Sequence, residues 1–175
     1  PGGMINSERL VETFMALARI ASPSRKERAV AREVAGRLQA LGASVTEDGS
    51  ARATGSDSGN LVARISGSAP VPPLLLSAHL DTVEPAQGVE PVLRDGVIRS
   101  AGDTILGADD KSAVAIILEV LATLREQGIA HGPLEVVLTT CEEIGLLGAK
   151  HLDFDLVTAT MGYVLDTRDP NGLVT

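Results

Sequence analysis

The sequence holds one cysteine, no tryptophan, one tyrosine and two phenylalanines among 175 residues. A lone Cys141 excludes an internal disulfide and any zinc site built from several cysteines. So few aromatic rings leave no platform on which bases could stack, and the core has to come from Leu, Ile, Val and Ala. Basic residues are also short: 15 Lys and Arg face 23 Asp and Glu, a formal charge of −8. A nucleic-acid partner would need the opposite balance. No apolar run approaches the length of a membrane span. The start lacks the basic-then-apolar layout of a secretory signal, so a cytoplasmic protein without a membrane partner is expected. Pro1-Gly2-Gly3 ahead of Met4 reads as an expression remnant.

What is present suits a globular domain. Hydrophobic residues make up 44% and charged residues 22%, enough apolar surface for one core. Helical spacing of Leu10, Val11, Phe14, Leu17 and Ala18 predicts an amphipathic helix over 7–20. Ser24, with Glu27 three residues later, predicts a capping box opening a second helix that Gly42 ends. Strands are expected at 43–47, 60–65, 74–81, 134–140 and 161–165, and the Gly, Ser and Asp-rich segment 48–59 reads as an exposed loop. Two short runs around Asp95-Gly96 signal a hairpin. From about Lys111 to Gln127 apolar residues fall almost all round a helix, which should be buried. Strands alternating with helices favour an α/β domain with a largely parallel sheet.

The chain is organised around Leu74 to Asp81. A short apolar run behind Pro72-Pro73 reads as a central strand covered on both faces. His79 and Asp81 arrive at its end two residues apart, and so on one side of extended chain. A half-buried histidine salt-bridged to its neighbour is the plain alternative. Other acids take matching places, however: Glu142 and Glu143 follow the next apolar strand, Asp166 follows the last, and Asp109 precedes the buried helix. Ligands of open α/β sheets bind beyond the carboxyl ends of the strands. One crevice would then gather a histidine and five carboxylates, whose mutual repulsion a divalent cation, or a pair, would relieve. Imidazole with carboxylate suits zinc, and cobalt or manganese is tolerable. Adjacent residues in extended chain point apart, so one of Glu142 and Glu143 can ligate while the other faces a water.

Competing motifs fail. Gly102 to Gly107 has the glycine spacing of a phosphate loop, but Ala108-Asp109 stands where Lys and Ser or Thr are needed. There is no Gly-x-Ser-x-Gly elbow. Cys141 has two glutamates beside it, which disfavour a thiolate.

Four blocks, HLDTV at 79–83, GDTILGADDKSAVA at 102–115, CEEIGLLGA at 141–149 and GYVLDT at 162–167, together resemble the dinuclear zinc aminopeptidases of the peptidase T (tripeptidase) type. These lie within the larger family that includes aminoacylases and carboxypeptidase G. The resemblance implies a three-layer zinc-peptidase fold. It also implies that His79 and Asp166 hold one zinc, Asp109 bridges two, and Glu143 holds the second. Asp81 would orient His79, and Glu142 would be the general base in hydrolysis of the N-terminal bond of short peptides. A cis Asp109-Asp110 peptide is a further expectation. GADDKS without a preceding Arg-Gly favours the tripeptidase branch. The alternatives are a deacylase or carboxypeptidase acting on N-acylated amino acids, and a non-catalytic metal- or partner-binding fragment.

The chain departs from the family in length. Family enzymes are about twice as long, with an inserted lid and dimerisation domain and a later histidine for the second zinc. His131 and His151 match no ligand block. Residues 4–175 are therefore expected to be the first part of a catalytic domain, inactive or nearly so alone, of a protein that dimerises through its lid.

Overall fold

A computed structural model describes residues 4–167. Pro1 to Gly3 and the chain end at Thr175 lie outside the described residues.

Helix α1 spans Ser7–Ala18, and Asn6 caps it by accepting a hydrogen bond from the N–H of Arg9. It stops short of Ile20 because Ser22-Pro23 draws the chain away, where Pro23 forms an isolated bridge to Thr82. Helix α2 spans Arg28–Ala40, and Gly42, at φ +96°, takes the left-handed conformation that ends it. Strand β1 (Ser44–Glu47), the one-turn helix α3 (Ala51–Thr54) and strands β2 (Leu61–Ile65) and β3 (Leu74–His79) follow. The hairpin of β4 (Pro91–Arg94) and β5 (Val97–Ser100) is a separate ribbon. Its two-residue turn carries positive φ at both Asp95 and Gly96, as a tight hairpin requires. Then come α4 (Ala108–Glu126), β6 (Leu134–Thr139), α5 (Leu147–Lys150), a 3₁₀ turn at Phe154–Leu156, and β7 (Gly162–Val164).

The sheet runs β1-β2-β6-β3-β7. β6, β3 and β7 pair in parallel, β2 opposes β6, and β1 opposes β2. Four of the five strands thus point one way, as the expected largely parallel sheet requires. β6 occupies the centre, and all six of its residues are buried. β3, expected to be central, lies between β6 and β7 with its first five residues half-buried or buried. α4 packs on β3 and α1 on α4, while α2 packs against β1 and β2. The shared core is built from Leu17, Val34, Leu38, Leu80, Ile117 and Val136, with their neighbours. α4 is largely buried as predicted, but Ser112 and Ile116 face outward.

Two local expectations are corrected. Ser24 and Glu27 form no capping box: Glu27 makes no side-chain cap bond, and its carboxylate serves Arg25, Ser56 and Cys141 instead. The segment 48–59 is not an exposed loop, because Asp48, Ser50, Thr54 and Ser58 are buried. The Asp48 carboxylate collects the N–H and hydroxyl of Ser50, both nitrogens of Asn60 and the N–H of Asp153, which folds the segment inward.

Candidate metal centre

The parallel register sets the site. His79 ends β3 opposite Thr139 of β6, and Ser77 of β3 lies opposite Val164 of β7. The residues after these strands, Leu80-Asp81, Thr140 to Glu143 and Leu165-Asp166, therefore leave the sheet at one edge. The N-terminus of α4 reaches the same place, since Asp110 accepts a hydrogen bond from the His79 N–H at 3.2 Å. At Asp109 and Asp110 the backbone is non-helical, and the peptide joining them is cis.

His79 is 2% exposed and its ring is fixed from both ends. Nδ1 lies 2.8 Å from the main-chain carbonyl oxygen of Asp81. A carbonyl only accepts, so Nδ1 carries the proton and donates it. Nε2 then faces outward, 3.0 Å from Asp109 Oδ1 and 3.8 Å from Glu142 Oε2. The Asp81 carboxylate lies 3.5 Å from Nδ1, close enough to share its proton weakly, and has shorter bonds elsewhere. It accepts hydrogen bonds from Ser24 Oγ at 2.6 Å, from the Glu142 N–H at 2.8 Å and from the Glu143 N–H at 3.1 Å. Asp81 thus ties the imidazole, through its main chain, to the turn carrying both glutamates, through its side chain.

Exposure is graded through the site. His79, Asp81 and Asp110 are buried, Glu142 and Glu143 are half-buried, and Asp109 and Asp166 are exposed at the mouth. An open cleft of about 520 Å³ lies over Asp109, Asp110, Ser112, Glu142, Leu165 and Asp166. Among the described residues, two triads of ligand atoms lie within 4.8 Å of one another: His79 with Glu142 and Asp166, and His79 with Asp109 and Glu143. Asp109 and Asp166 meet His79 in different triads. His131, half-buried in a loop, and the exposed His151 stand in neither.

The electrostatics are those of crowded acids. Burial pushes the Asp110 carboxyl up to about 7, with Asp166 and Asp109 adding repulsion against the attraction of His79. Burial likewise raises Glu142 and Glu143, each helped by neighbouring acids. Burial alone would lower His79, but the bond to Asp81 and the charges of Asp110 and Asp81 outweigh it and raise the imidazole to about 10. Asp81 is the exception: burial would raise it, yet donors from His79, Ser24 and Glu142 hold it below the usual carboxylate range. A proton on His79 does part of what a cation would do here.

The donor set fits a divalent ion. One imidazole nitrogen, a ligand once a cation displaces its proton, converges with several carboxylate oxygens, and the second ring nitrogen is already engaged, as metal-bound histidines require. The 3.0 Å separation of His79 Nε2 and Asp109 Oδ1 is near the roughly 3.3 Å between ligands on a tetrahedral ion with ~2 Å bonds. A single Nε2 serves one ion at a time, so the two triads are alternatives rather than two independent sites.

Three residues of this region went unread in the sequence. Asp110, given no role in the sequence, is buried and bonded to the main chain of β3. Lys111 is 2% exposed, donates to the carbonyl of Ile20, and is held down to about 8 by burial. Asn60 accepts from the Thr140 N–H and donates to the Gly148 carbonyl, bracketing the Glu142 turn. A Cβ at Gly148 would lie 2.1 Å from the Thr140 oxygen, so only glycine permits that closure.

A parallel edge that gathers acids round one oriented imidazole makes this an α/β protein with a candidate cation site at the carboxyl ends of its strands. The profile of peptidase family M28 matches residues 60–162, more than half of the sequence, and the chain belongs to that family. It is 39% identical over 164 residues to the uncharacterized protein YqjE of Bacillus subtilis, covering 94% of this chain and 44% of that one. Among solved structures it is similar to a tripeptidase from Staphylococcus aureus (TM-score 0.92, 43% identity, 94% of this chain and 44% of that one). Aminopeptidase PepT from Bacillus cereus is alike to the same degree (TM-score 0.92, 41% identity, the same coverage). The tripeptidase resemblance of the four sequence blocks is borne out by these likenesses, and the chain spans less than half the length of the relatives it matches.

Proposed function

We propose that these residues form the amino-terminal part of the catalytic domain of a metal-dependent peptidase that releases the N-terminal residue of short peptides. The observation carrying this reading is His79 Nε2, directed at Asp109 and Glu142 because Nδ1–H is spent on the Asp81 carbonyl; on giving up its proton to an incoming cation this nitrogen would become the ligand. His79, Asp109, Glu143 and Asp166 would between them hold a pair of metal ions in the complete site, zinc by their donor chemistry, with cobalt or manganese also accommodated. Bound metal supplies Lewis acidity toward a water and the scissile carbonyl. Glu142 would take the proton from that water and pass it to the leaving amine. Its carboxyl, raised by burial, is tuned in the direction a general base needs. Asp81 would fix the His79 tautomer and the Glu142-Glu143 turn together. The tripeptidase and aminopeptidase likenesses favour release of an N-terminal residue and set the carboxypeptidase reading second.

In the full-length protein, Glu142→Gln is expected to lower tripeptide turnover by about 10²–10⁴ with metal content retained. The His79–Glu142–Asp166 triad favours a second assignment, with Glu142 as a ligand. Loss of metal in the same variant, read by metal analysis of the dialysed protein, would select it.

A further inference from the structure

Glu27 is fully buried and lies outside both candidate triads. Its Oε1 accepts hydrogen bonds from the N–H of Arg25 at 2.9 Å, the N–H of Cys141 at 3.0 Å and the Cys141 thiol at 3.4 Å. Its Oε2 accepts from Ser56 Oγ at 2.5 Å. Cys141 is the residue before Glu142 and sits at φ +53°, in the left-handed region that non-glycine residues rarely adopt. Backbone held there persists only where its surroundings over-determine it. Two acceptors do so here: Glu27 holds the Cys141 N–H, and Asp81 holds the next two N–H groups, those of Glu142 and Glu143. Without Glu27 the buried Cys141 N–H loses this acceptor. The chain then gains by relaxing out of the left-handed region, which would swing the Glu142 side chain away from His79.

We propose that Glu27 is a positioning residue, aiming the Glu142 carboxylate at His79 by clamping Cys141 in its left-handed conformation. The kinetic part of this inference rests on the peptidase reading, whereas the structural part does not.

Two variants of the full-length protein test it. Glu27→Asp keeps the charge but shortens the reach by one methylene. Glu27→Gln keeps the length and one acceptor oxygen, and the Ser56 hydroxyl can turn to accept from its amide. Hydrogen exchange of the Cys141, Glu142 and Glu143 amides is measured in the metal-free protein, and kcat and KM on a tripeptide in the zinc-loaded one. Glu27→Asp is expected to speed exchange at those three amides while β6 amides at Val136 to Leu138 hold. It is also expected to cut kcat by about 10- to 100-fold with KM within about twofold, and Glu27→Gln to restore both. The proposal is overturned if the three amides exchange as before. It is equally overturned if exchange rises evenly across the sheet, if kcat is unaffected, or if Glu27→Gln is as impaired as Glu27→Asp. A wild-type protein that binds zinc but cleaves no peptide would sink the peptidase reading alone, leaving exchange to decide the role of Glu27.

Discussion

Two regions of the molecule bury acids, and they do so in opposite ways. Asp48 lies beneath the 48–60 segment with five hydrogen bonds from Ser50, Asn60 and Asp153. Burial would raise its carboxyl, but these donors outweigh it and hold the group below the ordinary range. At the edge of β3 and β6 the acids face one another, and Asp110, Glu142 and Glu143 are all raised. The first carboxylate is complete with protein alone. The second group has too few neutral donors to offset its repulsion, and a bound cation would complete it. Satisfaction, rather than burial, separates a structural acid from one set aside for binding.

The comparison breaks first at Asp48. Asp48→Ala would strand several buried donors, each costing about 1–3 kcal/mol when left unpaired. Partial rescue by solvent is expected to leave a loss of roughly 3 kcal/mol or more in denaturant unfolding, among the largest for a single substitution. A loss below about 1 kcal/mol would mean that the network is decorative.

Metal sharpens the other half. Zinc added to the chelator-treated protein should stabilise it by about 2.7 kcal/mol at a hundred times the dissociation constant. For a chain of this size that is a rise in Tm of roughly 5–10 °C. His79→Ala should abolish the rise, while Asp48→Ala should lower the baseline and leave the rise intact. An undiminished zinc shift in the His79 variant would relocate the site.

How far the sequence foretold these two regions follows from the range of the forces that build them. His79, Glu142, Glu143 and Asp166 were legible because each ends an apolar strand, and strand ends in a parallel sheet share an edge whatever else the chain does. The turn at Asp95-Gly96 was legible because its backbone needs residues that tolerate positive φ. The 48–59 segment was misread because Gly, Ser and Asp in an exposed loop look the same as Gly, Ser and Asp round a buried carboxylate. Ser24 and Glu27 match a helix cap in spacing, yet Ser24 donates to Asp81 and Glu27 accepts from Cys141, partners 57 and 114 residues away. Local pattern carries no information about such partners. The β3 position was likewise set by long-range pairing, since nothing within Leu74 to His79 states that β7 would flank it.

The smallest effect, and the most discriminating, concerns pH. A carboxyl raised in the folded state binds more protons folded than unfolded between its two pKa values, so stability falls as pH rises through that interval. Asp110, raised from 3.8 to about 7, therefore removes stability from the metal-free protein over that window. Asp48 has the reverse sign: its lowered carboxyl contributes fully above its unfolded value and loses that contribution as pH falls toward its folded one. Asp110→Asn is expected to flatten the decline between pH 4 and 7 and to add on the order of 1 kcal/mol at pH 7. The gain survives because an amide oxygen can still accept the His79 N–H, and it is modest because the Asp110 charge also stabilises the protonated His79 ring. Bound zinc should flatten the same decline in the unmutated protein by supplying the missing positive charge. Should chelated wild-type protein grow more stable from pH 5 to 7 in urea titrations, and Asp110→Asn leave that slope untouched, the acids at this edge are satisfied after all, and the contrast with Asp48 disappears.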